Sequence, residues 1–212
     1  MPSSVPPQLG RCHEFATLLQ ECMPKCASRS EPVVSARSFE AHGVCMSALW
    51  QEALPDDRAL SPMTLAHIDA VMAVETAAYA FPWSRGNFID SLAAGHTACT
   101  LHGEAGQLLG YFVAMAGVDE MHLLNLTVAP PAQSRGHARF MLKELGGRCG
   151  RQGARKLWLE VRETNARARN MYLRLGFKYV GVRKGYYPAA NGKREDAVVM
   201  SLDIEAVDDA LE

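Results

Sequence analysis

The chain lacks the features that mark membrane-spanning and secreted proteins. Among its 212 residues, no apolar run approaches the roughly 20 residues that a membrane-spanning helix needs. A basic segment followed by an apolar stretch, the pattern of a secretory signal, is also missing. We therefore expect a cytoplasmic protein with no membrane partner, in which the six cysteines stay reduced.

Net charge and aromatic content are low as well, at −1 and 8%. The small net charge hides a segregation: residues 133–196 carry 16 lysines and arginines against 5 acidic residues, whereas the rest of the chain carries 6 against 18. A basic half is expected where a polyanionic ligand binds. Because no aromatic residues on which bases could stack alternate with these basic residues, a phosphorylated cofactor fits better than nucleic acid.

Metal-binding spacings and internal repeats are missing too. Cys22 and Cys26 lie near His13 and His42 in the sequence, but their spacing matches no zinc pattern. We expect no metal site and make no prediction of oligomeric state. Prolines and serines are frequent in residues 1–50, which predicts an irregular, disordered N-terminal extension. One domain is expected over residues 51–205, followed by a short tail at 206–212.

Hydrophobic periodicity predicts alternating strands and helices after residue 57. The order β-α-α-β-β-β-α-β-α-β-β favours an α/β fold with a mixed sheet flanked by helices. Ser84 is a suitable cap for the second helix, and Gly176 ends the last one. The strands are predicted at 58–63, 96–102, 108–118, 121–129, Lys156–Arg162, Phe177–Val182 and Ala197–Leu202, and the helices after Thr64, after Ser84, up to Gly150 and over Asn165–Leu175.

A turn at Gln133–Ala138 joins the fourth strand to the third helix. A helix N-terminus carries unpaired N–H groups and partial positive charge, which together bind anions. The small residues Gly136 and Ala138 let the main chain approach phosphate oxygens closely. The pattern Q-x-x-G-x-A therefore indicates a diphosphate-binding turn.

This element order, with Q-x-x-G-x-A after the fourth strand, resembles the GNAT superfamily of acetyl-CoA-dependent N-acetyltransferases over roughly residues 55–203. The resemblance implies a mostly antiparallel sheet whose parallel fourth and fifth strands splay apart to hold acetyl-CoA. Seven strings are similar to the RimI group, bacterial enzymes that acetylate the N-terminal alanine of small-subunit ribosomal protein eighteen. They are Ala80–Ser84, Asp119–Glu120, Asn125–Val128, Leu157–Arg162, Asn165, Leu175–Phe177, and Tyr186–Pro188 with Arg194–Asp196.

The resemblance implies acetyl-CoA as the co-substrate and assigns a binding set to it. Main-chain groups of Leu126 and Val128 would pair with the pantetheine arm, and N–H groups from Arg135 to Arg139 would hold the pyrophosphate. His137 stands where the family has a larger apolar residue, which matters little because the turn acts through its backbone. The full set is Leu126, Thr127, Val128, Gln133, Ser134, Arg135, Gly136, His137, Ala138, Arg139 and Asn165.

Two residues are implied for catalysis. Strand alternation turns Glu160 away from the apolar face of Lys156–Arg162, where it would ordinarily be only solvated. The match to L-W-L-E-V-R implies that Glu160 is the general base, acting through water. Tyr172 lies in an apolar helical stripe, which by itself indicates a core tyrosine. The resemblance instead implies that Tyr172 is the general acid.

Substrate binding is expected at two aromatic loops, which contain Phe81 and Trp83 in one and Tyr186 and Tyr187 in the other. These loops would clamp an extended peptide end, with Glu120 holding its ammonium group; the rings could equally pack only on each other. The leading hypothesis is a protein N-terminal alanine acetyltransferase whose partner is a ribosomal protein. The alternatives are an acetyltransferase acting on another N-terminus, a lysine or a small amine, and a CoA-binding regulatory module whose basic half binds RNA.

Overall fold

The computed structural model describes residues 58–204. The expectations for the N-terminal extension, its four cysteines and the C-terminal tail lie outside these residues. None of the helices within 58–204 is long and apolar enough to cross a membrane.

Within residues 58–204, seven strands and four α-helices follow one another in the predicted order. Short 3₁₀ turns at Leu65–His67, Pro130–Ala132 and Ala190–Gly192 lie between them. The elements are β1 (Ala59–Pro62), α1 (Ile68–Ala78), α2 (Arg85–Ala93), β2 (Thr97–His102), β3 (Leu108–Ala116), β4 (Glu120–Val128), α3 (His137–Arg151), β5 (Lys156–Arg162), α4 (Ala166–Arg174), β6 (Lys178–Pro188) and β7 (Arg194–Asp203).

All seven strands form one sheet in the order β1-β2-β3-β4-β5-β7-β6. Strands β4 and β5 are parallel, and the other neighbouring strands within residues 58–204 are antiparallel. The predicted mixed sheet with a parallel fourth and fifth strand is therefore confirmed. The parallel pair lies at the middle of the sheet, where helix α3 supplies the crossover between its two strands.

Helices cover both faces of the sheet, as the alternation of β3 shows. Tyr111 and Val113 point to one face and pack with Val71 of α1 and Phe88 of α2 in a buried cluster. Gly110 faces the other side, where an added Cβ would lie 2.6 Å from the carbonyl oxygen of Thr127 and 3.0 Å from the side chain of Met141 of α3. The core thus lies on both sides of β3 and β4.

Side-chain caps explain where two of the helices begin. Ser84 caps α2 through a capping box with Asn87, as its sequence position predicts. Asn165 caps α4, because its side-chain oxygen accepts the N–H of Ala168 at 3.1 Å. At Thr64 a 3₁₀ turn intervenes before α1 begins at Ile68.

Candidate active site

Strands β4 and β5 separate partway along their length. They pair only from Glu120–Lys156 to Leu123–Leu159, and beyond that point the two strands have no register with each other. Strand β4 carries an extra residue here, since Val113 of β3 faces Asn125 whereas Ala114 faces Leu123. A bulge of this kind bends a strand and disrupts the ladder locally. The predicted splay is present, and among the strands that the structure describes it leaves one edge of β4 without a partner.

Side chains, rather than β5, contact the freed edge of β4. Tyr79 donates its hydroxyl hydrogen to the carbonyl oxygen of Leu126 at 3.3 Å. Gln133 donates from its amide to the carbonyl oxygen of Val128 at 3.2 Å. The main-chain groups of the two residues assigned to the pantetheine arm therefore face the gap between the strands.

The turn before α3 has the backbone expected of an anion-binding turn. Gly136 is the N-cap of α3 and adopts φ +80°, a left-handed conformation that glycine adopts without strain. No side chain caps this helix, and Phe140 makes its first internal bond, to the carbonyl oxygen of Gly136. The residues from Gln133 to Gly136 are exposed. A ligand at this turn would therefore meet uncapped main-chain N–H groups.

Cationic side chains surround this turn, and two of them were not predicted. Arg167 of α4 donates to the hydroxyl of Ser134 at 2.6 Å. Arg58 stacks on the ring of Phe140 at 4.3 Å, and its guanidinium lies 3.4 Å from the imidazole of His137. Burial lowers the pKa of His137, and the neighbouring arginines lower it further. The lowered pKa favours the neutral form of His137, and the arginines carry the positive charge at the turn.

Glu160 lies on β5 just beyond the last residue that pairs with β4. Its side chain is 12% exposed, and Oε1 is 3.5 Å from a guanidinium nitrogen of Arg183. Burial raises the pKa of the Glu160 carboxyl, while Arg183 and His122 partly offset that rise. A carboxylate with a raised pKa accepts a proton more readily, as a general base must.

Tyr172 is buried in α4, in edge contact with Phe177 at 5.4 Å. Burial raises its pKa above the ordinary value, and Tyr79 adds to the rise. The hydroxyl of Tyr187 donates to the main-chain carbonyl oxygen of Glu160 at 3.0 Å. Burial raises the pKa of Tyr187, and Tyr186, Glu160 and Tyr172 add to that rise. The two candidate catalytic residues thus lie in one cluster with Tyr186 and Tyr187 of the second aromatic loop, which together with Phe81 is called the substrate rim below.

Arg162 joins the two aromatic loops. Its guanidinium lies 4.5 Å over the ring of Tyr187 and 5.8 Å from that of Phe81. It also donates to Glu195 at 2.9 Å and to the carbonyl oxygen of Pro188 at 3.0 Å. Beside it lies a cavity of about 360 Å³ lined by Ala78, Tyr79, Ala80, Phe81, Arg162, Ala189, Ala190 and Glu195.

Trp83 and Glu120, which were predicted to bind the substrate, lie away from this cavity. The ring of Trp83 packs against Phe88 at 5.3 Å, under α1 and α2. Glu120 is hydrogen-bonded to the imidazole of His122 at 2.9 Å, at the paired end of β4. Phe81, by contrast, lines the cavity, and Tyr187 packs on the guanidinium of Arg162 beside it.

Sequence reasoning also missed residues that complete the site. Arg162 has a local signal, since it lies two positions after Glu160 on the same strand face. Tyr79 directly precedes the A-F-P-W string, but an aromatic residue at a helix end has no specific signature. Arg183 comes from another strand and has no local signal. Within residues 58–204, no group of three histidine, cysteine or acidic side chains is arranged to hold a metal.

A family model described as the acetyltransferase (GNAT) family matches residues 68–177. The chain belongs to the GNAT family of acetyltransferases. This match runs from the start of α1 to the end of the α4 turn, and so contains the turn at Gly136 together with Glu160 and Tyr172. Enzymes of this family use acetyl-CoA as the acetyl donor.

Several proteins similar to this chain are named for the same enzymatic activity. A ribosomal protein bS18 alanine N-acetyltransferase from Haemophilus ducreyi is 35% identical over 61% of this chain and 88% of its own length. The protein of the same name from Escherichia coli K12 is 34% identical over 68% of this chain and 97% of its own. A crystal structure of the E. coli ribosomal-protein-S18-alanine N-acetyltransferase superposes with a TM-score of 0.66 and 32% identity, over 73% of this chain and 99% of that one. This GNAT domain is therefore similar along its length to an enzyme of defined substrate.

Proposed function

We propose that this chain transfers the acetyl group of acetyl-CoA to the N-terminal alanine amine of the ribosomal protein bS18, in the cytoplasm where ribosomal proteins are made. The names of the relatives support this substrate, because the chain covers 97% of the E. coli protein. The observation that carries the proposal is the position of Glu160 beside Tyr187, whose hydroxyl donates to the main-chain carbonyl oxygen of Glu160 at 3.0 Å and whose ring packs on Arg162 at the cavity. Glu160 does not itself line the cavity, so an amine held beside Tyr187 passes its proton to Glu160 through a water molecule.

The gap between β4 and β5 fits acetyl-CoA. The main chain of Leu126 and Val128 faces the gap and can pair with an extended amide-containing chain as a strand would. The uncapped start of α3 offers N–H groups to a diphosphate, with Arg58 and Arg167 close by as counter-charges. These contacts suit a long molecule with amides at one end and phosphates at the other.

The residues present can perform direct acetyl transfer. An α-amino group has a pKa of about 8, so modest help makes it neutral at pH 7. Glu160 accepts its proton, through a water molecule, as the new C–N bond forms. The C–S bond of the thioester then breaks, and Tyr172 donates its phenolic proton to the departing sulfur. Burial keeps Tyr172 protonated until that moment, because it raises the pKa of the phenol.

Main-chain groups at the β4 bulge are suited to stabilise the oxyanion that forms during the reaction. Attack on a thioester carbonyl places negative charge on its oxygen, which hydrogen-bond donors must stabilise. The extra residue, Leu124, is left out of the ladder between β3 and β4. We assign the main-chain N–H at this bulge to the developing oxyanion.

The lining of the rim cavity favours a small first residue. Four alanines, at positions 78, 80, 189 and 190, surround it together with Phe81. The polar groups at its edge belong to Tyr79, Arg162 and Glu195. Such a lining accommodates an N-terminal alanine and the peptide bond that follows it.

Acetyl-CoA turnover on a peptide with the first residues of bS18 tests the proposal. We expect acetylation of the free peptide and none of the same peptide with a blocked N-terminus. Acetylation of a lysine in the blocked peptide would instead indicate a lysine acetyltransferase. Binding of acetyl-CoA without any turnover would favour the regulatory module.

Replacing the proposed base tests the assignment of Glu160. Glu160→Gln is expected to lower kcat about 100-fold or more, within the range for general bases, while acetyl-CoA affinity changes little. Glu163→Gln is the matched control, because Glu163 is exposed three residues further along the chain. Equal kcat values for the two variants would refute Glu160 as the base.

A further inference from the structure

A buried carboxylate on α1 has no part in the chemistry described above. Glu75 is 1% exposed, and its hydrogen-bond donors within residues 58–204 are neutral groups of Trp83, Tyr111 and Asn125, with the hydroxyl oxygen of Thr127 3.5 Å away. A buried carboxylate is costly unless several donors satisfy it. Its partners come from three separate elements, which suggests that Glu75 serves to hold those elements together.

One set of contacts leads from Glu75 to the substrate rim. The main-chain N–H of Trp83 donates to Oε1 of Glu75 at 2.7 Å. Trp83 follows Phe81 by two residues, and Phe81 lines the rim cavity. With the indole of Trp83 packed on Phe88, this bond fixes the end of the loop that presents Phe81.

A second set leads to the freed edge of β4. Tyr111 donates to Oε2 of Glu75, and the amide nitrogen of Asn125 lies 3.5 Å from both carboxylate oxygens. Thr127 Oγ1 is 3.5 Å from Oε2 and donates to the hydroxyl of Tyr79 at 3.0 Å. Tyr79 in turn donates to the carbonyl oxygen of Leu126. The network therefore ends on the main chain that faces the gap between β4 and β5.

We propose that Glu75 is a positioning residue that holds the substrate rim and the acetyl-CoA edge of β4 in fixed relation to each other. This inference rests on the proposed function, since it assigns roles to the rim and to the gap. An ionised carboxylate is suited to this place because it only accepts hydrogen bonds, and each of its two oxygens accepts more than one. Glutamine offers one acceptor oxygen, and its amide would present hydrogens to donors such as Tyr111.

Glu75→Gln is the informative change because it keeps the volume of the side chain. We expect it to raise the KM for the peptide and the Kd for acetyl-CoA together, each about ten-fold, as for the loss of hydrogen bonds to a charged group. The matched control is Val71→Ala, one helical turn earlier on α1, equally buried and without polar contacts. We expect this control to lower the melting temperature while both constants stay within about two-fold of the wild type.

Equal changes in both constants for Glu75→Gln and Val71→Ala would overturn the proposal, because they would reduce Glu75 to a contributor to stability. The same holds if Glu75→Gln leaves both constants unchanged. If Glu75→Gln does not fold, Tyr111→Phe decides, since it removes one donor and leaves the Trp83 bond in place. That variant should raise the Kd for acetyl-CoA more than the KM for the peptide, and no change in either would overturn the proposal. A wild-type protein that acetylates no peptide would refute the proposed function alone, because the Kd for acetyl-CoA still tests Glu75.

Discussion

The contact between Glu160 and Arg183 makes the pH dependence of the reaction predictable. Arg183 favours the ionised form of Glu160 and so lowers its pKa, against the rise that burial causes. Replacing Arg183 with glutamine removes that positive charge, and the pKa of Glu160 must rise. Because the base acts in its ionised form, the acid limb of the kcat/KM profile should move to higher pH.

The size of the movement follows from the geometry. Unit charges 3.5 Å apart interact by about 1 kcal/mol in bulk water and by about 5 kcal/mol at an effective dielectric constant near 20. The two side chains are 12% and 21% exposed, so solvent screens them only in part. One pKa unit corresponds to about 1.4 kcal/mol. His122, Tyr186 and Tyr187, which also face Glu160, remain in the variant, and we expect a movement of about one to two pH units.

The assay is kcat/KM for the bS18 peptide at a series of pH values across neutrality. The amine of the peptide titrates identically with every enzyme, so a difference between the profiles belongs to the protein. Lys184→Gln is the matched control, because Lys184 is exposed and its loss removes the same formal charge one residue away. A limb that stays in place, or moves to lower pH, in Arg183→Gln would show that Glu160 does not ionise in that limb.

Three further outcomes are expected. Tyr172→Phe should lower kcat about 100-fold relative to Tyr179→Phe, which alters a tyrosine that is 61% exposed; equal rates would make Tyr172 a core residue only. Gly136→Ala forces alanine to adopt φ +80°, at a cost of roughly 1–2 kcal/mol, and should raise the Kd for acetyl-CoA several-fold. Gly146→Ala is the control on the same helix: its added methyl group meets open space, and it should leave that Kd unchanged. Deleting residues 1–50 should leave kcat/KM within about two-fold of the full chain, because every assigned site residue lies within 58–204; a larger loss would assign the extension a role in the reaction.

Most of the fold was predictable because its strands and helices alternate with clear periods. The end of β6 was not: the predicted strand stops at Val182, whereas β6 continues to Pro188 and β7 begins at Arg194 rather than Ala197. Among the described strands, β6 is at the edge of the sheet and pairs with β7 alone, with shifts of register along the pair. An edge strand need not bury both faces, so Arg183-Lys184-Gly185 shows no apolar alternation.

Some residues of the candidate site could be predicted from a single segment of the sequence, and others could not. The turn at Gly136 and the assignment of Glu160 come from short strings whose meaning is local. Arg183 approaches Glu160 because β7 inserts between β5 and β6, and the small Ala197 lies between Arg162 and Arg183 in that register. Glu75 likewise meets its partners only through the packing of α1 on the sheet. Such neighbours depend on strand order and helix docking, which no single segment encodes.

The early end of the β4–β5 pairing has a mechanical consequence. Four residue pairs between β4 and β5 join strands β1–β4 to strands β5–β7. The sheet therefore consists of two halves that are connected by a short stretch of strand pairing. A ligand that forms hydrogen bonds to both β4 and β5 across the gap takes the place of a strand and extends the connection between the two halves. At 100 times its Kd, such a ligand adds about 2.7 kcal/mol to the free energy of unfolding. The same molecule that supplies the acetyl group would then also complete the sheet, and amide exchange at Leu126 and Val128 would slow when it binds.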